Sequence, residues 1–362
     1  MVRSEIVESL LIGERKVRLF VASAITSVIA LVLVPQTSIA DEGGVSFWLP
    51  GIYGSLAAVP QQPGWSLGTV YYHTSVAADG AVSGARQVTH GHLTATVSGT
   101  LTGSLNATAD LALIVPTYTF ATPVLGGQFA LGMMTVTGRM KADVDATLTG
   151  SVGPFGFTKS GSFGDSVSGF GDLYPQATMR WNRGVHNFMA YATGNIPVGA
   201  YDPSRLANLG IGHGAIDAGG GYTYLNPQTG HEFSAVGGFT YNFKNPDTQY
   251  QNGVNFHLDG AFSQFLSKQF FVGVVGYTYQ QVTADRGALP ILGDFKSRVS
   301  ALGPQIGYLF PVGNMQGYLN LKGYKEFDAA NRPSGWNTWL TFAISPAAAP
   351  APVQATSRLI HK

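Results

Sequence analysis

Four titratable residues are spaced closely enough to be weighed as a reaction centre: Asp202, His213, Asp217 and Glu232. An imidazole held among carboxylates can relay a proton as a general base. Neither a nucleophile elbow nor a spaced Ser/His/Asp set accompanies them, so enzyme activity is not expected. The glycine-rich Gly210-Ile211-Gly212-His213-Gly214-Ala215-Ile216-Asp217 could in principle cradle a phosphate. It lacks the G-x-G-x-x-G spacing and the surrounding βαβ pattern, so it reads as loop and strand glycine. His90 and His92 could begin a metal site, but zinc needs further ligands in a fixed geometry. The sequence holds no cysteine, which removes thiolate metal sites and disulfides. No cofactor and no metal are expected.

A second set of charges is informative only through the elements that carry it. Between 93 and 115 every odd position is apolar or glycine, from Leu93 to Val115, and the even positions from Thr94 to Asp110 are all polar. The pattern returns over 130–152, where Met134, Val136, Met140, Val144, Leu148 and Val152 alternate with polar neighbours from Thr135 to Ser151. A period of two is a β-strand with one face in each medium. Runs of 23 residues exceed both a soluble strand of about 5–6 residues and the 9–11 needed to cross a bilayer, so strands projecting past the membrane are predicted. A turn at Gly99 or Gly103 that divides the first run is the alternative. If the apolar face meets lipid, the opposite face points inward. The lumen is then lined by Arg139, Lys141, Asp143, Asp145, Arg180, Asp217, Glu232, His257, Asp259, Lys322 and Glu326. Both signs occur, which suits a cross-braced interior.

Composition agrees with a membrane barrel. Of 362 residues, 45% are hydrophobic and only 11% are charged, less than half of the about 25% usual in a soluble domain. Yet the mean hydropathy is only +0.12, low for a helical membrane protein. Interleaved polar and apolar positions resolve the conflict. The chain is too apolar for disorder. Lys+Arg 21 against Asp+Glu 20 leaves no basic excess for nucleic acid.

Residues 1–40 have the plan of a secretory signal: Arg15, Lys16 and Arg18, an apolar run over Leu19–Val34, then Ser38-Ile39-Ala40. Its removal takes away four Lys/Arg and three Asp/Glu and leaves 17 of each in the remaining 322 residues. No later apolar stretch approaches 18 residues, so a membrane form must cross with strands.

Twelve strands are predicted, near 64–74, 93–115, 128–152, 173–181, 185–196, 214–224, 231–243, 253–266, 269–281, 296–310, 315–327 and 335–345. Tight turns such as Asn182-Arg183-Gly184 and Pro311–Asn314 alternate with longer polar segments at 75–91, 153–172, 197–213, 244–252, 282–295 and 328–334. That alternation marks an outer-membrane barrel. The 116–127 connection is longer than the other turns. The fold class is therefore all-β, a transmembrane antiparallel up-and-down barrel of about 12 strands over 64–345. Twelve strands fall between filled eight-stranded barrels and open 16–18-stranded porins, which predicts a narrow or partly plugged passage. Residues 41–63 do not alternate and are read as a plug or a periplasmic strap; 346–362, rich in Pro and Ala, are read as a disordered periplasmic tail.

Several stretches also resemble a known family: Ser46-Phe47-Trp48-Leu49-Pro50-Gly51, Gly169-Phe170-Gly171-Asp172-Leu173, Gly194-Asn195-Ile196-Pro197-Val198-Gly199-Ala200-Tyr201 and Gly303-Pro304-Gln305-Ile306-Gly307-Tyr308. The chain resembles, from about 43 to 345, the "MetA-pathway of phenol degradation" family of SphA-like outer-membrane transporters. The resemblance implies a channel in the cell outer membrane of a Gram-negative envelope that takes up small hydrophobic or aromatic compounds. It supplies no binding residues. The partners then expected are outer-membrane lipid and lipopolysaccharide, the barrel assembly machinery that reads the aromatic last strand, and a small hydrophobic solute. The alternative is a filled barrel serving envelope integrity or adhesion without transport.

Overall fold

The computed structural model describes residues 46–90, 93–152, 155–287 and 296–347; the side chains of 81–97 and 152 are not described. The expected leader 1–40 and most of the expected tail lie outside these residues. Twelve strands close into one antiparallel barrel: β1 (Gly64–His90), β2 (Leu93–Thr119), β3 (Gln128–Val152), β4 (Phe155–Arg183), β5 (His186–Gly194), β6 (Ala215–Leu225), β7 (His231–Asn242), β8 (Asn255–Phe265), β9 (Phe270–Gln281), β10 (Arg298–Val312), β11 (Met315–Ala330) and β12 (Ser334–Pro346). Each strand pairs with its sequence neighbours, and β12 closes on β1.

Alternation decides which way each side chain points. On β11, Leu319 and Leu321 are exposed while Asn320 and Lys322 are buried between and beyond them. On β12, Leu340 and Phe342 face out and Trp339 is wholly buried. The outward row continues through Phe233, Phe262, Val274 and Ile306, all exposed. An exposed apolar belt around a polar, closed interior is the signature of strands in lipid. Strands β5–β12 have 9–16 residues, the length that crosses a bilayer when tilted.

The first four strands are different. They run for 25–29 residues, and the segments 75–91 and 153–172, expected as loops, are mostly strand. Pairing of β1 with β12 ends at Ala77↔Ser334, and pairing of β4 with β5 ends at Gln176↔Thr193. Beyond those points β1–β4 pair only with one another, apart from a single bridge from Leu173 to Ile196. A four-stranded blade therefore stands above the rim. The residues from Ala78 to His90 alone reach about 45 Å at the usual rise per strand residue. These segments hid as loops because Ser, Gly and Ala give them little apolar contrast.

Water replaces lipid near Asp110. The outward residues of β2 read Ile114 and Ala112, then Asp110, Thr108 and Asn106. Tyr71 donates to Asp110 at 2.7 Å, and His73 lies 2.7 Å from the same carboxylate. Trp336 packs 4.9 Å from the His73 ring. Aromatics with one polar end suit this boundary.

Close strand approach is fixed by glycine at Gly303, where an added Cβ would sit 1.7 Å from the Gly323 carbonyl oxygen. Gly303→Val must push β10 off β11. We expect its heat-modifiable folded band on a gel to be lost, since neither backbone can yield without breaking ladder bonds.

Candidate functional site

Inside the barrel the charged residues of the wall converge on one short segment, 46–63. Pro50-Gly51 turns the chain; Gly51 sits at φ +92°, a conformation glycine adopts without strain, and a Cβ there would meet Tyr277 and Tyr324 at 3.1 Å. Asp259 on β8 accepts from the Gly51 N–H at 2.9 Å and from the Tyr53 N–H at 3.1 Å. Lys322 on β11 donates to the carbonyls of Gly51, Ile52 and Tyr53 at 2.6, 3.3 and 3.2 Å. The two opposite charges grip one turn from different strands. Glu232 on β7 accepts from Ser55 Oγ at 2.7 Å and from the Leu56 N–H at 2.9 Å. Gln305 donates to Ser55 Oγ at 2.8 Å. Lower down, Arg180 Nε donates to the Ala57 carbonyl at 3.4 Å and the Ala58 N–H to Thr223 Oγ1 at 3.0 Å. Glu232, Asp259 and Lys322 are almost fully buried, and each finds hydrogen bonds there, as buried charge must.

Asp217 and His257 form a second buried pair, 2.9 Å apart, with Thr240 Oγ1 donating to the same carboxylate at 2.5 Å. Trp48 lies flat on the His257 ring, centroids 3.6 Å apart and planes within 14°. Glu326 accepts from Tyr277 OH and from the Gly335 N–H, both at 2.7 Å. Asn337 donates to the same phenol at 2.8 Å.

Arg180, Asp217, Glu232, His257, Asp259, Lys322 and Glu326 thus sit on the inner face. Arg139, Lys141, Asp143 and Asp145 do not. Met134 and Val136 line the interior, and period-two alternation puts 139, 141, 143 and 145 on the opposite face. Arg139 is paired across the ladder with Asp110, an outward residue. Lys141 and Asp143 bridge at 2.7 Å with side chains 52% and 43% exposed. The premise that the apolar face meets lipid holds for β5–β12. It reverses on the blade, where the outer medium is water. Among the described residues no group of three or more side chains could hold a metal. Asp202, His213, Asp217 and Glu232 join separate networks. Asp202 accepts from Ser204, whose hydrogen bonds hold its carboxyl below the ordinary value, while His213 Nδ1 bonds the Gly214 carbonyl.

Between residues 46–53 of this segment and the barrel wall lies a cavity of about 70 Å³, lined by Phe47, Trp48, Tyr53, Tyr174 and Tyr191 together with Leu111, Val136 and Leu209. Its walls are aromatic and aliphatic, with Gln176 and Thr193 supplying amide and hydroxyl groups. Phe47 packs on Tyr174 with ring centroids 5.6 Å apart, and Trp48 on Tyr53 at 5.9 Å. An apolar hollow with a few placed polar groups suits a small, mostly apolar ligand.

The roof is the loop 195–214, held by two carboxylates: Asp165, which bonds Arg205 and the Ala207 N–H, and Asp172. Asp172, 1% exposed, accepts from Asn195 Nδ2 at 2.9 Å, the Gly199 N–H at 2.8 Å and the Ile211 N–H at 3.2 Å. Asp172 lies at the β3–β4 irregularity between Thr135 and Thr137, where the extra residue turns its side chain inward. Asp172→Ala leaves three donors unsatisfied. We expect limited proteolysis to cut 197–213 in the variant and spare it in the parent, while the barrel stays heat-modifiable. The aromatic lining and Asp172 are absent from the expected site set. Phe47, Trp48 and Asp172 lie in the peptides Ser46–Gly51 and Gly169–Leu173 that carry the family resemblance; Tyr53, Tyr174 and Tyr191 lie in none of the resembling peptides.

Residues 85–342 match the family model described as "Putative MetA-pathway of phenol degradation". Among solved structures, an outer-membrane channel from Pseudomonas putida F1 is similar in fold: TM-score 0.57, 15% identity, covering 82% of this chain and 99% of that one. A FadL homologue of Pseudomonas aeruginosa aligns loosely, at TM-score 0.37 and 9% identity over 82% of this chain and 94% of that one. No curated protein matches the sequence.

Proposed function

The chain belongs to the MetA-pathway of phenol degradation family, and on that premise we propose that it is an outer-membrane channel for uptake of small apolar, chiefly aromatic, compounds. The observation that carries the reading is the cavity of Phe47, Trp48, Tyr53, Tyr174 and Tyr191, walled on one side by a charge-fastened segment. Ions find no charged, water-filled path through such a lining, whereas flat apolar molecules lose little on entering it. Residues 46–63 act as the plug of this passage. The barrel sits in outer-membrane lipid and lipopolysaccharide, is inserted by the assembly machinery, and works without enzymatic chemistry. The similar P. putida F1 protein, an outer-membrane channel, agrees with this reading.

Deletion of the gene is expected to slow uptake of a labelled monoaromatic such as toluene at low concentration, with complementation restoring it. Equal uptake across a panel of apolar compounds would overturn the proposal. One observation favours a second reading, a filled structural barrel: the polar groups of 46–63 are tied to seven wall strands, β3, β4, β6, β7, β8, β10 and β11. That reading predicts detergent sensitivity on deletion and no change in uptake.

A further inference from the structure

The blade above the rim is amphipathic in the reverse sense to the wall below it. Its outer face carries Asn106, Asp110, Lys141 and Asp143, and its inner face Leu101, Leu105, Val144, Leu148 and Phe163. Facing residues share a side, so the register pairs Leu101↔Leu148, Leu105↔Val144 and Val144↔Phe163 knit the inner residues into one sheet face. Phe163 is 60% exposed and Phe155, at the end of the same row, 65%. Gly103, Ala107, Ala142 and Ala146 lie between the large side chains and keep the face flat. Lys159 is the one cation on this face among the described side chains of β2–β4.

The lower part of that face already has an occupant. Arg205 reaches across to Asp165 with two hydrogen bonds, at 3.1 and 2.7 Å. This seats Leu206 and the fully buried Ala207 against the hydrophobic interior. The upper part is more open: Leu148 is buried and Leu101, Leu105 and Val144 are half-buried, but Phe163 and Phe155 stand exposed. From there the apolar row continues along β2 through Ala107 and Ala109 to Leu111, and along β3 through Met140 to Val136. Leu111 and Val136 line the aromatic cavity. Exposed aromatic side chains grouped on the water side mark a binding surface, and their continuity with the cavity says what it binds.

We propose that the inner face of the blade is a second binding site, for flat apolar solutes, which collects them from water and delivers them to the cavity. The proposal rests on the uptake reading above and adds the capture step to it. A lipid acyl chain or a second copy of this chain would also cover apolar surface, but neither accounts for a row that continues, beneath Leu206 and Ala207, into a small-molecule cavity.

Two variants of the full chain, reconstituted in vesicles with naphthalene as probe, test it. One is the triple substitution Leu101→Asn, Leu148→Asn and Phe163→Asn. The other removes 81–102 and 148–159 and closes each hairpin where the strands face one another, at Gly80/Gly103 and Thr147/Ser160. Both should raise the half-saturating naphthalene concentration about tenfold and leave the plateau rate unchanged, the pattern of lost binding that does not alter the passage itself. In detergent, naphthalene fluorescence should report two sites in the parent and one in the truncated chain. Unchanged half-saturation in both variants overturns the proposal. So does a concentration-dependent dimer of the parent that the triple variant abolishes, since the face would then serve a second copy. If the parent passes no naphthalene, the uptake reading fails. The two-site binding result then still decides the blade.

Discussion

Lys322→Met opens the barrel to ions. The Lys322 ammonium is buried and bonds three consecutive carbonyls of segment 46–63, and the variant removes all three bonds at once. It also strands the Asp259 carboxylate opposite, which keeps the Gly51 and Tyr53 N–H groups but loses its compensating positive charge. Breaking a buried charge arrangement by removing one member costs about 3–5 kcal/mol. Methionine replaces most of the volume, so little of this cost is cavity. The turn at Gly51 therefore loses its hold first, while the ladder of β11 is untouched. Planar-bilayer recordings are expected to change from silent to steadily conducting, and 46–63 is expected to become a protease target. Adding Asp259→Asn should recover part of the loss, because the second substitution removes the stranded charge; the two are close enough to couple. Full additivity would show that the two residues do not act on one turn.

Trp48→Ala has the next largest effect. Trp48 covers the His257 ring at 3.6 Å and forms one wall of the cavity beside Tyr53 and Tyr191. Truncating a buried tryptophan costs about 3–5 kcal/mol, and here the lost surface is also the solute's contact. The half-saturating concentration for a monoaromatic is expected to rise at least about tenfold, the equivalent of about 1.4 kcal/mol of contact. Two-ring compounds should gain relative to one-ring compounds as the hollow widens. Trp48→Phe should stay near the parent. A Trp48→Ala protein with unchanged half-saturation and unchanged preference would remove the aromatic cavity from the pathway.

Much of the architecture was legible because period two is a strong signal where strands separate two media. Leu319, Leu321, Leu340 and Phe342 declare their face, and twelve strands follow with their short turns. The blade was harder to read. Segment 75–91 is strand for most of its length, but runs such as Ala77-Ala78-Asp79-Gly80-Ala81 offer no contrast between faces. The same gap explains the outward placement of Arg139, Lys141, Asp143 and Asp145. Alternation tells that two faces differ, and it does not tell which medium lies outside. Below Asp110 the outside is lipid; above it the outside is water, and the polar face turns outward. The interior charges Asp217, Glu232, His257, Asp259 and Lys322 were legible as charge on a membrane strand. Their partner was not, since the bonds reach from 46–63 to strands more than 150 residues away. A non-alternating peptide rich in Pro and Gly carries no periodicity from which such pairings can be read.

The central claim is a passage that admits apolar molecules and refuses ions. Purified protein in vesicles, assayed for naphthalene entry and potassium leak in the same preparation, tests it most directly. Saturable naphthalene entry well above that of protein-free vesicles, with potassium retained, is the expected result. Potassium release with no saturable naphthalene entry would contradict it.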